Sequence, residues 1–242
     1  MNRPKLRDNR GRDPFELYPL GQIPHDFIFK LAKVFTYKYL TGSTNLSGSD
    51  WGDAFALGIG GKHLDSPLGL ADVIYKTQCW STKTIHADRP HSQQKARVIS
   101  GRCSPDYSYG ITDPHADIQR TGTAVLSIFN ERMNIAKDEY ESLRTIVLMR
   151  NFASFEFALF EHDVYRYVTN DYTWRKNKNG NLEGFDVSNK HCFTWQPHGS
   201  QFTVLYDVPP SILKFSVQQP QVLDFEDTLK QVGFNDSWVT IL

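Results

Sequence analysis

The apolar positions of the chain recur with two periods, one typical of α-helices and one typical of β-strands. Apolar residues three or four positions apart predict helices over residues 24–42, 51–61 and 116–144. Ser49 or Asp50 is the candidate N-cap of the second of these helices. A shorter segment of the same kind, residues 224–234, predicts a closing helix.

Other segments have the shorter period or the continuous apolar character of strands. Residues 145–151 (TIVLMRN) form a near-continuous apolar run, which predicts a strand buried on both faces. Asn179-Gly180 is a strong turn signal between two aromatic segments and predicts a hairpin. The remaining predicted strands are residues 95–102, residues 155–168 and the two arms of a hairpin within 191–208, with an irregular stretch at 103–115.

This order of elements predicts a mixed α/β domain whose central sheet has helices on at least one face. Residues 1–22 are polar, contain Pro and Gly, and predict a loosely attached arm. Residues 23–242 are then one domain, with additional hairpins around 171–206.

Composition narrows the class of protein. The chain of 242 residues is 40% apolar and 22% charged, as expected of a soluble globular protein, and no apolar run is long enough to span a bilayer. Its three cysteines lack metal-binding spacing, and its start lacks a secretory signal, so we expect reduced thiols in a cytoplasmic protein. The net charge is zero, but residues 76–102 carry six Lys and Arg against one Asp, which favours a phosphate-binding face.

The most informative stretch is GLADVIYKTQCWSTKTI, residues 69–85, which we interpret as a β-hairpin. A turn of two or four residues places Asp72 and Lys83 on one face, whereas a turn of three residues separates them. A carboxylate beside a lysine suits hydrolysis of a phosphodiester, because Mg²⁺ needs only one or two protein carboxylates and the lysine can position water. In many hairpins, however, such a pair is only two solvated strand ends.

An aspartate that opens one strand and a lysine on the next strand resemble the PD-(D/E)XK nucleases, and the chain resembles type II restriction endonucleases in particular. The resemblance extends over about residues 50–206. It implies a PD-(D/E)XK-like core, with Asp72 as metal ligand, Lys83 as catalytic residue and Mg²⁺ as cofactor. Ser81 stands at the catalytic position where these nucleases carry a second acid. We predict Asp53 as the replacement metal ligand, with Gln78, Glu156 and Glu161 as alternatives.

Polar residues outside the hairpin are candidates for DNA contacts. Arginine can clamp a phosphate or read guanine, and polar side chains on hairpins can reach base edges. The candidate DNA-binding residues are Arg97, Arg102, Lys176, Lys178, His191, Gln196, His198 and Gln201.

The expected function is therefore that of a Mg²⁺-dependent type II restriction endonuclease, which hydrolyses double-stranded DNA at a specific sequence. The resemblance implies a homodimer, since a two-fold axis matches a palindromic target, and a host DNA methyltransferase that protects the same sites. Two alternatives remain: a nuclease that recognises DNA structure in repair or recombination, and a non-catalytic DNA-binding protein on a nuclease scaffold.

Overall fold

A computed structural model describes residues 15–64 and 69–242. The chain forms a mixed α/β structure with two β-sheets, which we call the central sheet and the second sheet. The central sheet has six strands in the order β1-β2-β3-β5-β6-β11. These strands are β1 (Lys62–His63), β2 (Val73–Tyr75), β3 (Gln78–His86), β5 (Ser142–Asn151), β6 (Glu156–Asp163) and β11 (Leu213–Ser216).

Among the described strands of the central sheet, one neighbouring pair is parallel. β3 and β5 run in the same direction along their full lengths, from Gln78↔Ser142 to His86↔Arg150, and the other pairs are antiparallel. A parallel pair requires a long crossover connection. Here the crossover contains strand β4 (Lys95–Arg102), helix α3 (Pro105–Tyr109) and the long helix α4 (Ile118–Glu139).

Helices α1 (His25–Leu40) and α2 (Gly48–Ile59) cover one face of the central sheet. Phe35 of α1 and Phe55 of α2 are fully buried there against Trp80 of β3 and Leu148 of β5. The edge-on contact between Phe55 and Trp80, with ring centroids 5.4 Å apart, is typical of aromatic packing. We call this side the helical face of the central sheet.

The opposite face of the central sheet packs against α4 and the second sheet. Cys79 of β3 and Leu143 of β5 share a core cluster with Phe129 and Met133 of α4. Val147 of β5 lies in a further cluster that contains Ala96 and Val98 of β4. We call this side the inner face of the central sheet.

The second sheet is antiparallel and has five strands in the order β4-β10-β9-β8-β7. Its other strands are β7 (Thr173–Lys176), β8 (Leu182–Phe185), β9 (His191–Gln196) and β10 (Gln201–Asp207). Its large apolar side chains point toward α4 and include Trp174, Phe193 and Phe202. A Cβ atom at Gly122 of α4 would lie 2.2 Å from the Trp174 ring, so the close approach of helix and sheet requires glycine there. The last helix is α5 (Phe225–Gln231).

The structure confirms most of the predicted elements and corrects five details, of which one is that the strand predicted over 155–168 ends at Asp163. Ser47, rather than Ser49 or Asp50, caps α2, and Asp50 is the third residue of a capping box. The stretch 103–115, predicted as irregular, contains α3, and the helix predicted over 116–144 ends at Glu139. Sequence patterns did not predict the short strands β1 and β11, which contain two and four residues.

The end of the predicted N-terminal arm, residues 15–22, is bound to the core, whereas residues 1–14 lie outside the described residues. Tyr18 is buried, and its hydroxyl donates to Glu161 Oε1 over 2.8 Å. Its carbonyl accepts from Arg144, which lies 3.6 Å from Glu161. Burial is the main cause that raises the pKa of Glu161. This part of the arm is therefore attached by buried polar contacts.

In the part of the chain that the structure describes, no helix is long and apolar enough to cross a membrane. Cys79, Cys103 and Cys192 are free thiols.

Candidate active site

The turn of the hairpin decides which side chains share a face. Tyr75 pairs with Gln78, so the turn has two residues, Lys76 and Thr77. Lys76 adopts the left-handed conformation with φ of 53°. In this register Asp72 lies opposite Ser81, and Ser81 and Lys83 point to the inner face of the central sheet.

Asp72 directly precedes β2 and is held by its backbone on both sides. Its N–H donates to Trp80 O over 2.9 Å, and its carbonyl accepts from Leu64 N over 2.8 Å. Leu70 and Ala71, which precede it, are buried in the core cluster around α4. These contacts hold the backbone of Asp72 in place independently of the contacts that its carboxylate makes.

Three donors converge on one oxygen of Asp72. Oδ2 accepts from Lys83 Nζ at 2.7 Å, from Thr82 N at 2.9 Å and from Ser81 Oγ at 3.2 Å. Oδ1 receives no hydrogen bond from the residues that the structure describes. The side chains of Lys83 and Asp72 are 19% and 21% exposed, so the pair is largely enclosed but open to solvent on one side. This enclosure excludes the alternative in which Asp72 and Lys83 are only two solvated strand ends.

A further cation, Arg132 of α4, lies next to this segment and was not among the residues predicted from sequence. Its Nη1 donates to Ser100 O over 2.7 Å, and its Nη2 donates to Gly69 O over 3.3 Å. Arg132 therefore ties the end of β4 to the segment that leads to Asp72. No local motif marks this arginine, because its partners are backbone carbonyls 32 and 63 positions away.

The structure does not bring Asp53 to Asp72. The Asp53 carboxylate is 69% exposed and lies 2.8 Å from His63 Nδ1. His63 pairs with Val73, which points to the helical face of the central sheet, whereas Asp72 reaches Lys83 on the inner face. The two carboxylates thus have different partners on opposite faces of the sheet, and no contact of the described residues supports the prediction that they bind one metal ion together.

The alternative acids and the amide are also engaged elsewhere. Glu161 is buried against Tyr18 and Trp80, and Gln78 Oε1 accepts from Leu17 N. Glu156 lies 3.9 Å from His91 at the other end of β6. In the described ranges, no group of three or more His, Cys, Asp or Glu side chains could hold a metal ion.

The donor set at the hairpin nevertheless meets the minimum for Mg²⁺, which retains several waters and needs one or two carboxylates. Asp72 Oδ1 is a carboxylate oxygen without a hydrogen bond from the described residues, and the hydroxyl of Ser81 lies 3.2 Å from the other oxygen, Oδ2. A site with this donor set would bind the ion weakly by itself and would depend on substrate oxygens.

Five of the eight predicted DNA-binding residues share one face of the second sheet. Arg102 pairs with Gln201, and Gln201 pairs with Gln196, so these three form a row across β4, β10 and β9. This face is opposite to the one that packs on α4, and we call it the outer face of the second sheet. Arg97 and His191 also lie on it, since both contact Thr194.

The other three predicted residues are not part of this face. Lys176 pairs with Leu182, which points toward α4, and Lys178 lies in the tip between β7 and β8. His198 lies in the exposed turn between β9 and β10. Arg175 is exposed on the outer face and was missed, although its position directly after the buried Trp174 could have identified it.

Comparison of the chain with protein-family models, curated proteins and solved structures finds no match to any of them.

Proposed function

We propose that the protein is a Mg²⁺-dependent endonuclease that cleaves double-stranded DNA at specific sequences, as type II restriction endonucleases do. The single observation that carries the proposal is the pairing of Asp72 with Lys83 on the inner face, in a site that is about one fifth exposed. An enclosed acid–lysine pair of this kind suits hydrolysis of a phosphodiester. The mixed central sheet, covered by α1 and α2 on one face and by α4 on the other, is also consistent with the core that the resemblance implies.

In this proposal Asp72 and Lys83 have separate tasks. Asp72 would hold Mg²⁺ through its carboxylate, and the ion would supply charge neutralisation at the phosphate and a more acidic bound water. Lys83 Nζ, which carries three donors, would keep its bond to Asp72 and direct another N–H at water or phosphate. Ser81 would fix the carboxylate in place and supply no charge of its own.

The outer face of the second sheet is the surface that we propose contacts DNA. Arg97, Arg102 and Arg175 give it three exposed guanidinium groups, and Gln196 and Gln201 provide hydrogen-bonding groups in the same row as Arg102. Arginines position a protein on phosphates, whereas amide side chains can distinguish bases. Arg132 links the end of β4, which carries Arg102, to the segment of Asp72.

The test is incubation of the purified protein with phage and plasmid DNA, with Mg²⁺ or with EDTA. We expect discrete fragments that require Mg²⁺ and that disappear with Asp72→Asn and with Lys83→Ala. Asp53→Asn is the matched control, since Asp53 is an acid on the opposite side of the sheet, and this variant should yield the wild-type fragments.

Three other outcomes are informative. Cleavage only of branched or mismatched DNA would favour the nuclease that recognises structure. Intact DNA in every lane, together with a gel shift that Asp72→Asn leaves unchanged, would favour the non-catalytic DNA-binding protein. Loss of cleavage with Asp53→Asn would restore Asp53 as a second metal ligand and contradict the site described above.

A further inference from the structure

An apolar groove runs between α1 and strand β11. His25, Ile28, Phe29 and Ala32 of α1 and residues 213–217 line a space of about 270 Å³. β11 is the edge strand of the central sheet and pairs only with β6 among the described strands. Phe29 is 71% exposed beside the groove. An edge strand next to an exposed aromatic side chain is a surface that partners can cover.

The C-terminal segment, residues 222–242, exposes an unusual amount of apolar surface. No residue of α5 is buried. Isolated exposed apolar residues need no explanation, but nine of them within 21 consecutive residues favour a segment that a partner covers. The exposed large apolar residues of this segment are Val222, Leu223, Phe225, Val232, Phe234, Trp238, Val239, Ile241 and Leu242.

The pattern of this segment matches an amphipathic helix that docks in a groove. Phe225 and Leu229 of α5 and its C-cap residue Val232 have the spacing i, i+4, i+7, which places them on one side of the helix. Glu226 and Asp227 lie on the remaining surface, and the whole segment carries four acids and one lysine. The segment is therefore apolar on one side and acidic on the other.

The groove has the complementary character. Lys33 follows Phe29 by one helical turn and is exposed, and Lys214 is exposed on β11. Tyr37, one further turn along α1, is 66% exposed. Apolar side chains flanked by lysines fit an apolar helix with acidic flanks, because opposite charges at the rim fix orientation.

The C-terminal segment is not placed to fill the groove of its own chain. After Val217 the chain leaves the groove and reaches the far end of α1, where Leu223 N donates to Leu40 O over 3.0 Å. The lining residue His25 lies at the opposite end of this helix of 16 residues, about 24 Å away. From Leu40 the segment continues with its apolar side chains in solvent.

We infer that the groove receives the C-terminal segment of a second copy of the chain, and that the second copy receives the first in return. The apolar side of α5 covers Phe29, Tyr37 and β11 of the partner, and its acids meet Lys33 and Lys214. This reciprocal exchange forms a closed two-fold dimer. The inference does not depend on the proposed nuclease function, because it concerns association without DNA or metal.

The experiment measures the molar mass of the full-length chain by light scattering after size exclusion, over a wide range of protein concentration. We expect a species of twice 27.8 kDa. Phe225→Glu in the segment and Phe29→Glu in the groove should each weaken association by about tenfold or more. Val187→Glu is the matched control, since Val187 is 91% exposed in the turn between β8 and β9 and should have no effect.

Mixing the two defective variants identifies the contact itself. A heterodimer of Phe225→Glu with Phe29→Glu contains one intact contact between segment and groove, so the mixture should dimerise more strongly than either variant alone. Thermal unfolding verifies that each variant is folded, and Trp238→Glu provides a second variant of the segment. A monomer at every concentration, or a mixture no better than its components, would overturn the inference, including the case in which the segment folds back onto its own chain.

Discussion

Lys83 Nζ donates to Asp72 Oδ2 over 2.7 Å across a hairpin whose turn contains only two residues. Because strand side chains alternate, a turn one residue longer would send Lys83 to the helical face. Thr82 N and Ser81 Oγ donate to the same oxygen. The register of one turn thus determines whether the pair exists at all, and the two-residue turn depends on the left-handed conformation of Lys76.

The role of Ser81 is tested by Ser81→Ala. Its hydroxyl is the most distant of the three donors to Asp72, so we expect the free energy of unfolding to fall by about 0.5–1.5 kcal/mol. Cleavage under the proposed function should stay within about tenfold of wild type, because Lys83 and Thr82 still hold the carboxylate. Chemical denaturation and initial cleavage rates measure the two effects. Complete loss of cleavage in a folded variant would mean that Ser81 acts directly in the reaction.

The link made by Arg132 is tested by a double-mutant cycle with Gly101. A Cβ atom at Gly101 would lie 2.4 Å from Arg132 Nη1, and its φ is 104°. We expect Gly101→Ala and Arg132→Lys each to lower the free energy of unfolding by about 1–3 kcal/mol. The double variant should lose less than the sum, because both changes break the same contact.

The control for this cycle is Gly110→Ala. Gly110 also has a positive φ, of 65°, but no atom of the described residues lies within 4 Å of the point that a Cβ atom would occupy there. Its effect should therefore add to that of Arg132→Lys. Additive effects for Gly101→Ala as well would contradict a direct link between the two residues.

The buried contact of the N-terminal arm is tested by Tyr18→Phe. Burial is the main cause that raises the pKa of Tyr18, so its hydroxyl remains a donor to Glu161 at any ordinary pH. We expect the variant to lose about 1–3 kcal/mol of unfolding free energy, because a buried acceptor loses a partner. Tyr107→Phe, at a position that is 92% exposed, is the control and should change stability by less than about 0.5 kcal/mol. Equal stability of the two variants would show that the arm does not depend on this bond.

Asp50 makes a specific contribution to the dependence of stability on pH. The hydrogen bond from Lys38 is the main cause that lowers the pKa of Asp50 to about 2, and the capping box with Ser47 acts in the same direction. A lowered pKa in the folded state means that this stability is present above the ordinary pKa near 3.8 and is lost as the pH falls toward about 2. Asp50→Asn should cost about 1 kcal/mol at neutral pH, and urea denaturation should show the difference disappearing over that interval. A difference that persists at pH 2 would contradict this cause.

The three thiols should differ in reactivity. Burial is the main cause that raises the pKa of Cys79 and of Cys103 to about 12, and both side chains are fully enclosed. Cys192 is partly exposed, so a thiol reagent at mild alkaline pH should modify it first. Cys192→Ser should then remove the early reaction, and the other two thiols should react only after denaturation. Rapid modification of all three in the folded protein would contradict the burial of Cys79 and Cys103.

The sequence by itself determined most of the elements and made Asp72 and Lys83 candidates for one site, but only the observed register of the hairpin decided that they pair. The helices α1, α2 and α4 and the strands β5 and β6 were predictable because their apolar periods are local and long. The hairpin was predictable for the same reason, although its turn contains no glycine, asparagine or proline to specify its length.

Tertiary structure alone decided which polar groups meet. Asp53 was a reasonable candidate from sequence, but the pairing of β1 with β2 placed its partner His63 on the helical face, away from Asp72. In the sequence, Arg132 does not differ from the other polar residues of a long helix. Only the crossover places it within hydrogen-bonding distance of Ser100 and Gly69. The physical reason is that these contacts depend on which face of a sheet each element covers, and that choice is made by packing between segments far apart in the chain.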